Sequence, residues 1–223
     1  MTRRGVLGAS LGSLCAALSG CNLFSRASSY RVLMTVEVER PEGPSHASGV
    51  FSISVRRDIA LTSEESGRSG GLKGEAIILD AGERPLFVTL KARLLRKGLS
   101  VAITKALSRE DVKTQGQYRE AVRSLGSMFA SAEGELPPED WPIMVEFGDI
   151  TDPSSVREVE PGQFGIKRIA LKTTNENLTT GIVNRLPWLP DHRRTLIKRL
   201  SLPDPSQPPA AALLTNRDFS TEL

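Results

Sequence analysis

In Tyr30-Arg31-Val32-Leu33-Met34-Thr35-Val36-Glu37-Val38-Glu39, five large apolar residues sit at every second position. Tyr30, Val32, Met34, Val36 and Val38 share one side, and Arg31, Leu33, Thr35, Glu37 and Glu39 share the other. Side chains on a strand point alternately to its two faces, so this period of two predicts a half-buried β-strand. Pro41-Glu42-Gly43-Pro44 follows with turn chemistry, and the alternation resumes over residues 50–57. There Phe51, Ile53 and Val55 face one way and Ser52, Ser54 and Arg56 the other, so the two runs read as a hairpin.

Working outward, residues 62–71 are rich in Ser, Gly and Glu and read as a loop. Residues 75–80 and 86–91 are apolar runs around Ala81-Gly82-Glu83, a second hairpin, and four consecutive strands suggest a meander. Residues 99–107 fit a short helix or a strand. The best helix pattern covers residues 108–132: Ser108 can cap it with Asp111 three positions on, and Tyr118, Val122, Leu125, Met128 and Phe129 recur at helical spacing. β pattern returns at residues 141–148, where Ile143, Val145 and Phe147 share a face, and at residues 166–174, with Ile169 and Leu171 inward. Between them lies a loop rich in Asp, Ser, Pro and Gly. From Pro190-Asp191 a basic amphipathic segment runs to Leu200, with Leu196, Ile197 and Leu200 apolar. The expected fold is α+β: an antiparallel β-sheet of about six strands with one main helix packed on a face. It occupies residues 30–200, followed by a Pro/Ala-rich C-terminal tail, residues 201–223, lying extended on the surface or disordered.

The start of the chain carries an address. Arg3 and Arg4 precede about 13 moderately apolar residues, and no acid occurs before Cys21. That is the layout of a secretory signal, and the apolar run falls short of the ~20 residues that span a bilayer. Leu18-Ser19-Gly20-Cys21 resembles the lipobox of bacterial lipoproteins. The resemblance implies cleavage before Cys21 and a diacylglyceryl group on its thiol, with residues 1–21 as signal peptide and 22–29 as a short tether. Each buried CH₂ of such an anchor contributes ~0.8 kcal/mol. The alternative is an ordinary cleaved signal that leaves Cys21 a free thiol. Thr2-Arg3-Arg4-Gly5-Val6-Leu7 also resembles a twin-arginine signal; the alternative is that the two arginines simply supply n-region charge. Asn22, rather than Asp, after the cysteine leans by resemblance to enteric sorting rules toward the outer membrane.

Composition narrows the chemistry. The chain has 29 Lys and Arg against 26 Asp and Glu; removing a signal that holds Arg3 and Arg4 leaves 27 against 26. Nucleic-acid binding needs clustered positive charge, so no nucleic-acid partner is expected. Cys15 leaves with the signal and Cys21 takes lipid, so the mature fold has no thiol for a disulfide, a nucleophile or a zinc site. The two histidines, His46 and His192, are too few for a multi-His metal site. No cofactor is expected.

Three features could carry function. Glu146, Asp149 and Asp152 form an acidic cluster where a strand becomes a loop. Such carboxylates could hold Ca²⁺ or act as acid and base on a glycosidic bond. Turn chemistry explains the same residues, because Asp side chains bond nearby backbone N–H groups. His46, in a turn near Glu42, and His192, beside Asp191, could each orient a serine, yet no Gly-x-Ser-x-Gly elbow occurs. Arg193, Arg194, Lys198 and Arg199, with Arg185 nearby, surround Trp188 and could contact an anionic membrane surface. The alternative there is a docked helix with Trp188 in the core.

The stretch Phe147-Gly148-Asp149-Ile150-Thr151-Asp152-Pro153-Ser154-Ser155-Val156-Arg157-Glu158-Val159-Glu160-Pro161, residues 164–174 and the run Thr179-Thr180-Gly181-Ile182-Val183-Asn184-Arg185-Leu186-Pro187-Trp188-Leu189 resemble a set of uncharacterised proteobacterial envelope lipoproteins. The Tyr30–Val38 alternation and Gly74-Glu75-Ala76 are similar to theirs as well. The resemblance implies a single folded domain in the cell envelope and carries no activity or site residue with it. The function expected from the sequence is a lipid-anchored, periplasm-facing binding module for an envelope protein, a glycan or a membrane component. A hydrolase of cell-wall or lipid material using the acidic cluster is the alternative.

Overall fold

The computed structural model describes residues 28–41, 43–55, 70–80, 84–93, 98–127, 131–192, 194–197 and 210–223. In chain order its strands are β1 (Ser28–Arg40), β2 (Gly43–Val55), β3 (Gly70–Lys73), β4 (Ile77–Leu79), β5 (Leu86–Ala92), β6 (Glu133–Leu136), β7 (Pro142–Phe147), β8 (Val156–Glu158) and β9 (Ile166–Thr174). Two helices, α1 (Leu99–Ser108) and α2 (Gln115–Leu125), lie between β5 and β6. The expected α+β class is what the chain adopts, mostly strand, and its strands divide between two antiparallel sheets. One has five strands in the order β3-β2-β1-β9-β6, the other four in the order β4-β5-β7-β8.

β1 and β2 form the expected hairpin over their whole length, from Ser28 opposite Val55 to Arg40 opposite Gly43. Ser28 and Ser29, expected in the tether, are therefore the first strand residues. The alternating faces are as read: Tyr30, Val32, Met34, Val36 and Val38 are buried, together with Phe51, Ile53 and Val55. β4 and β5 also pair, yet they belong to the second sheet. The chain changes sheets at Gly74, which has φ +146°, a region that L side chains avoid. A Cβ there would also lie 2.7 Å from the Phe51 ring.

The single helix expected over residues 108–132 is two shorter ones. α1 stops where Arg109 turns left-handed (φ 57°), and α2 starts at Thr114. Thr114 accepts from Gln117 N, and the Gln117 side chain accepts from Thr114 N, a complete capping box. Ser108 instead accepts from Glu110 N at 3.3 Å, beyond the end of α1. Tyr118, Val122 and Leu125 are buried as expected, whereas Met128 and Phe129 lie outside the described residues.

One apolar core joins the inner face of the five-stranded sheet, both helices and one face of the four-stranded sheet, around Met34, Phe51, Val88, Ile103, Val122 and Ile169. A second lies on the other face of the four-stranded sheet. There Phe87, Ile143, Val145 and Phe147 meet Ile182, Leu186, Leu189, Leu196, Ala211, Leu214 and Phe219. β5 and β7 are thus covered on both sides, which is why they read as continuous apolar runs.

This second core corrects two expectations. Of the segment read as a tail, residues 210–223 are described, and Ala211, Ala212, Leu214 and Phe219 are buried. Its few apolar side chains cover a sheet face that would otherwise be wet. Ala76 N donates to Phe219 O at 2.7 Å, and Ser220 bridges Glu75. The segment from His192 to Leu200 is not helical where it is described: Thr195 bridges Thr215, and Leu196 N donates to Leu214 O. The bridge and the hydrogen bond to the C-terminal segment hold residues 194–197 in place.

Candidate functional site

The acidic cluster sits at the end of β7. Glu146 is its penultimate residue, opposite Arg157 of β8 and 3.7 Å from the Arg84 guanidinium. Asp149 opens the following loop, where its Oδ1 accepts from Thr151 N at 2.9 Å and from Thr151 Oγ1 at 2.8 Å. These bonds, the backbone one first, hold the Asp149 carboxyl below its ordinary pKa. Asp152 caps the 3₁₀ turn Pro153–Ser155 by accepting from Ser154 N at 2.8 Å and Ser154 Oγ at 2.7 Å. Ser155 Oγ accepts from Asp149 N and lies 2.8 Å from Asp149 O and 2.7 Å from Asp152 O. Each aspartate therefore closes its own turn, the Asx chemistry weighed against a metal or catalytic site. Among the described residues, no group of three or more His, Cys, Asp or Glu side chains is placed to hold a metal ion.

Trp188 supports this loop from behind. Its Nε1 donates to Ile150 O at 3.0 Å, and its ring meets Phe147 (5.6 Å between centroids), Phe219 (6.1 Å) and His192 (5.6 Å) edge-on. Half-buried with its polar atom satisfied, it pins the C-terminal wrap to β7. Arg185 is spent on Asp80, with NH1 2.9 Å from Oδ2. Arg194 is exposed; Arg193, Lys198 and Arg199 lie outside the described residues, as does Cys21.

The histidines are apart. His46, expected in a turn, lies on β2 opposite Glu37, because the strand extends back to Gly43. Glu37 itself accepts from Arg168 Nε and NH2, both at 2.7 Å, which holds its carboxyl below the ordinary range. His192 Nε2 is 3.3 Å from Thr195 O.

Two hollows were not legible in the sequence, because each is built from residues far apart along the chain. One, of about 460 Å³, has an acidic rim: Glu110, Glu135, Glu139 and Asp140 beside Lys105 and Arg109 of α1's C-terminal end. The other, of about 480 Å³, lies where β1 begins, and Ser29, Arg31, Ser127, Thr174 and Asn175 line it with no carboxylate among the lining residues. Arg31 NH1 there donates to Asn175 O at 3.1 Å and to Glu176 O at 2.7 Å. Glu75 was also missed. It is a buried carboxylate in an apolar run, and it accepts from Ile182 N.

Comparison of the chain with protein-family models, with curated proteins and with solved structures finds no match. Among the described residues no helix is long and apolar enough to cross a membrane.

Proposed function

We propose that this chain is a lipid-anchored protein of the bacterial cell envelope, of the kind the resemblance names, acting as a non-catalytic interaction module. The observation that carries the anchor is Leu18-Ser19-Gly20-Cys21 behind a short apolar run led by Arg3 and Arg4. Cleavage before Cys21 and acylation of its thiol leave the fold on a six-residue lead, outside the cytoplasm and by preference at the outer membrane.

The arrangement of the acids supports a module over a hydrolase. Glycoside hydrolysis uses two carboxyl groups that face one another across a bound sugar. Here the Asp149 and Asp152 side chains turn back onto their own backbones, and Glu146 faces Arg84. Binding then falls to broad surfaces of the domain, toward an envelope protein, a glycan or a membrane component.

Intact mass of the protein from the membrane fraction, for wild type and Cys21→Ala, tests this reading. The expected wild type begins at Cys21 and carries acyl mass, and the variant carries none. A processed wild type without acyl mass would overturn the anchor. Hydrolysis of purified peptidoglycan or phospholipid that is lost in Asp149→Asn would overturn the module.

A further inference from the structure

We propose that the end of the five-stranded sheet where β1 begins is the membrane-facing end of the domain and rests on the phospholipid headgroups of the bilayer that holds Cys21. This orientation rests on the acylation of Cys21 proposed above. It follows from the length of the lead, from where it joins the fold and from the polar groups at the near end set against the acidic rim farther along the sheet.

Residues 22–27 separate Cys21 from Ser28, and six residues reach at most ~20 Å when fully extended. Ser28 is already fixed, opposite Val55. The start of β1 is therefore held close to the bilayer whatever the rest of the domain does. β1 then runs 13 residues, roughly 40 Å at the rise of a strand, to Arg40. At that far end Glu39 N donates to Gly165 O, which places the turn carrying Gly162 there. The sheet can stand with these ends at different heights, or it can lie flat.

Charge separates the two postures. The near end offers hydroxyls and an amide, Ser29, Ser127, Thr174 and Asn175, around the Arg31 cation, with the exposed acid Glu176 beside Asn175. Gly126, at the end of α2, packs so close to this point that a Cβ on it would lie 2.5 Å from Ser29 O. Hydroxyl, amide and guanidinium groups donate to phosphate oxygens. Further along the sheet, in line with the register of β6 and β9, comes the hollow rimmed by Glu135, Glu139 and Asp140. An anionic leaflet repels such a rim. Lying flat on its outer face would press the Glu37–Arg168, Glu39–Lys167 and Glu133–Lys172 ion pairs against lipid and strip their water. Standing on the near end leaves all of these solvated and turns the acid-rimmed hollow away from the membrane.

The mature fold has no cysteine other than the acylated Cys21, so one new thiol reports from one place. Ser127→Cys marks the near end and Gly162→Cys the far end. Both positions are exposed, and a Cβ on Gly162 meets nothing within 4 Å. Each full-length, acylated variant is labelled with a fluorophore and reconstituted into vesicles of phosphatidylethanolamine and phosphatidylglycerol, with and without a nitroxide on the lipid headgroup. The expected result is quenching several-fold stronger at residue 127 than at residue 162. Equal quenching at both, or the reverse order, overturns the orientation. Flotation of the same samples separates the two readings: protein that floats but quenches equally refutes the orientation alone, whereas protein that fails to float refutes the anchor and the orientation with it.

Discussion

The carboxylate of Glu75, only 6% exposed, accepts the backbone N–H of Ile182 at 2.8 Å. The bond joins the point where the chain changes sheets to the first turn of the C-terminal wrap. The Glu75 backbone is bridged to Ser220, so one residue gathers three distant segments. Removing the acceptor leaves the Ile182 N–H buried and unpaired, which costs about 1–3 kcal/mol. Glu75→Ala is expected to lower the urea midpoint accordingly, and Glu75→Gln, which keeps an acceptor oxygen, to lower it less. Equal losses in the two variants would show that the hydrogen bond is not what holds the wrap.

Phe219 makes a sharper test of the second core. It is fully buried, and its ring lies 6.2 Å from Phe87, 5.9 Å from Phe147 and 6.1 Å from Trp188. Phe219→Ala is expected to cost about 3–5 kcal/mol, as large aromatic truncations in a core do. It should also shift the Trp188 fluorescence toward that of a wetter indole. Leu223→Ala, four residues on at an exposed position, should stay within about 0.5 kcal/mol of wild type. Similar midpoints for both variants would mean that the C-terminal segment does not dock.

The contrast between β1 and Phe219 shows what a sequence displays and what it hides. β1 is covered on one face only, so period two is written in its residues and its partner β2 carries the matching pattern. The C-terminal segment has no period, because Leu214 and Phe219 dock singly, each directly after a 3₁₀ turn. Pro and Ala around them look like a tail until a sheet face that needs cover is known. The division into two sheets was equally hidden. It turns on Gly74, a residue that marks a loop as readily as a change of sheet. At the acidic cluster the turn chemistry was legible, because Asp149-x-Thr151 and Asp152-x-Ser154 place an acceptor two residues before a donor. The two hollows were not, since the walls of each come from segments separated by tens of residues or more along the chain.

The helix boundary gives a third expectation. Thr114 and Gln117 cap α2 reciprocally, whereas Ser108 closes a bend after α1. Thr114→Ala should cost about 1 kcal/mol, the usual loss of an N-cap, and Ser108→Ala less than that. The order would reverse if one helix ran through from Ser108. Denaturant midpoints of the two variants decide between them.

Acid titration probes the Asp149 turn. Its carboxyl is held below the ordinary aspartate range, first by the Thr151 backbone N–H and then by the Thr151 hydroxyl. A depressed folded-state pKa favours the fold above the unfolded pKa of about 3.9, and that contribution is lost as pH falls through the lower folded value. The carboxyl carbon shift of Asp149, followed by NMR, should therefore titrate below that range. Thr151→Ala keeps the backbone donor and removes the hydroxyl, so the midpoint should rise part of the way back. A midpoint that does not move would assign the whole effect to the backbone.

At the alkaline end the sign turns over, and Tyr30 is the group to follow. Its hydroxyl is buried against Thr104 Oγ1 at 2.8 Å, and burial pushes its pKa well above the ordinary tyrosine value. A raised folded-state pKa gives stability that is complete below the unfolded pKa of about 10 and is lost as pH rises from there toward the folded value. Over that window the unfolded chain releases the Tyr30 proton and the folded chain keeps it. Tyr30→Phe removes that proton, so stability in the variant should fall less steeply above pH about 10, the unfolded-state value. Near neutral pH the same variant should lose only about 1 kcal/mol, because Thr104 Oγ1 still donates to Ser100 O at 2.7 Å. Denaturant midpoints of wild type and variant across the alkaline range measure both effects. Parallel curves would mean that the Tyr30 hydroxyl reaches solvent in the folded protein and that the inner end of β1 is less closed than its burial indicates.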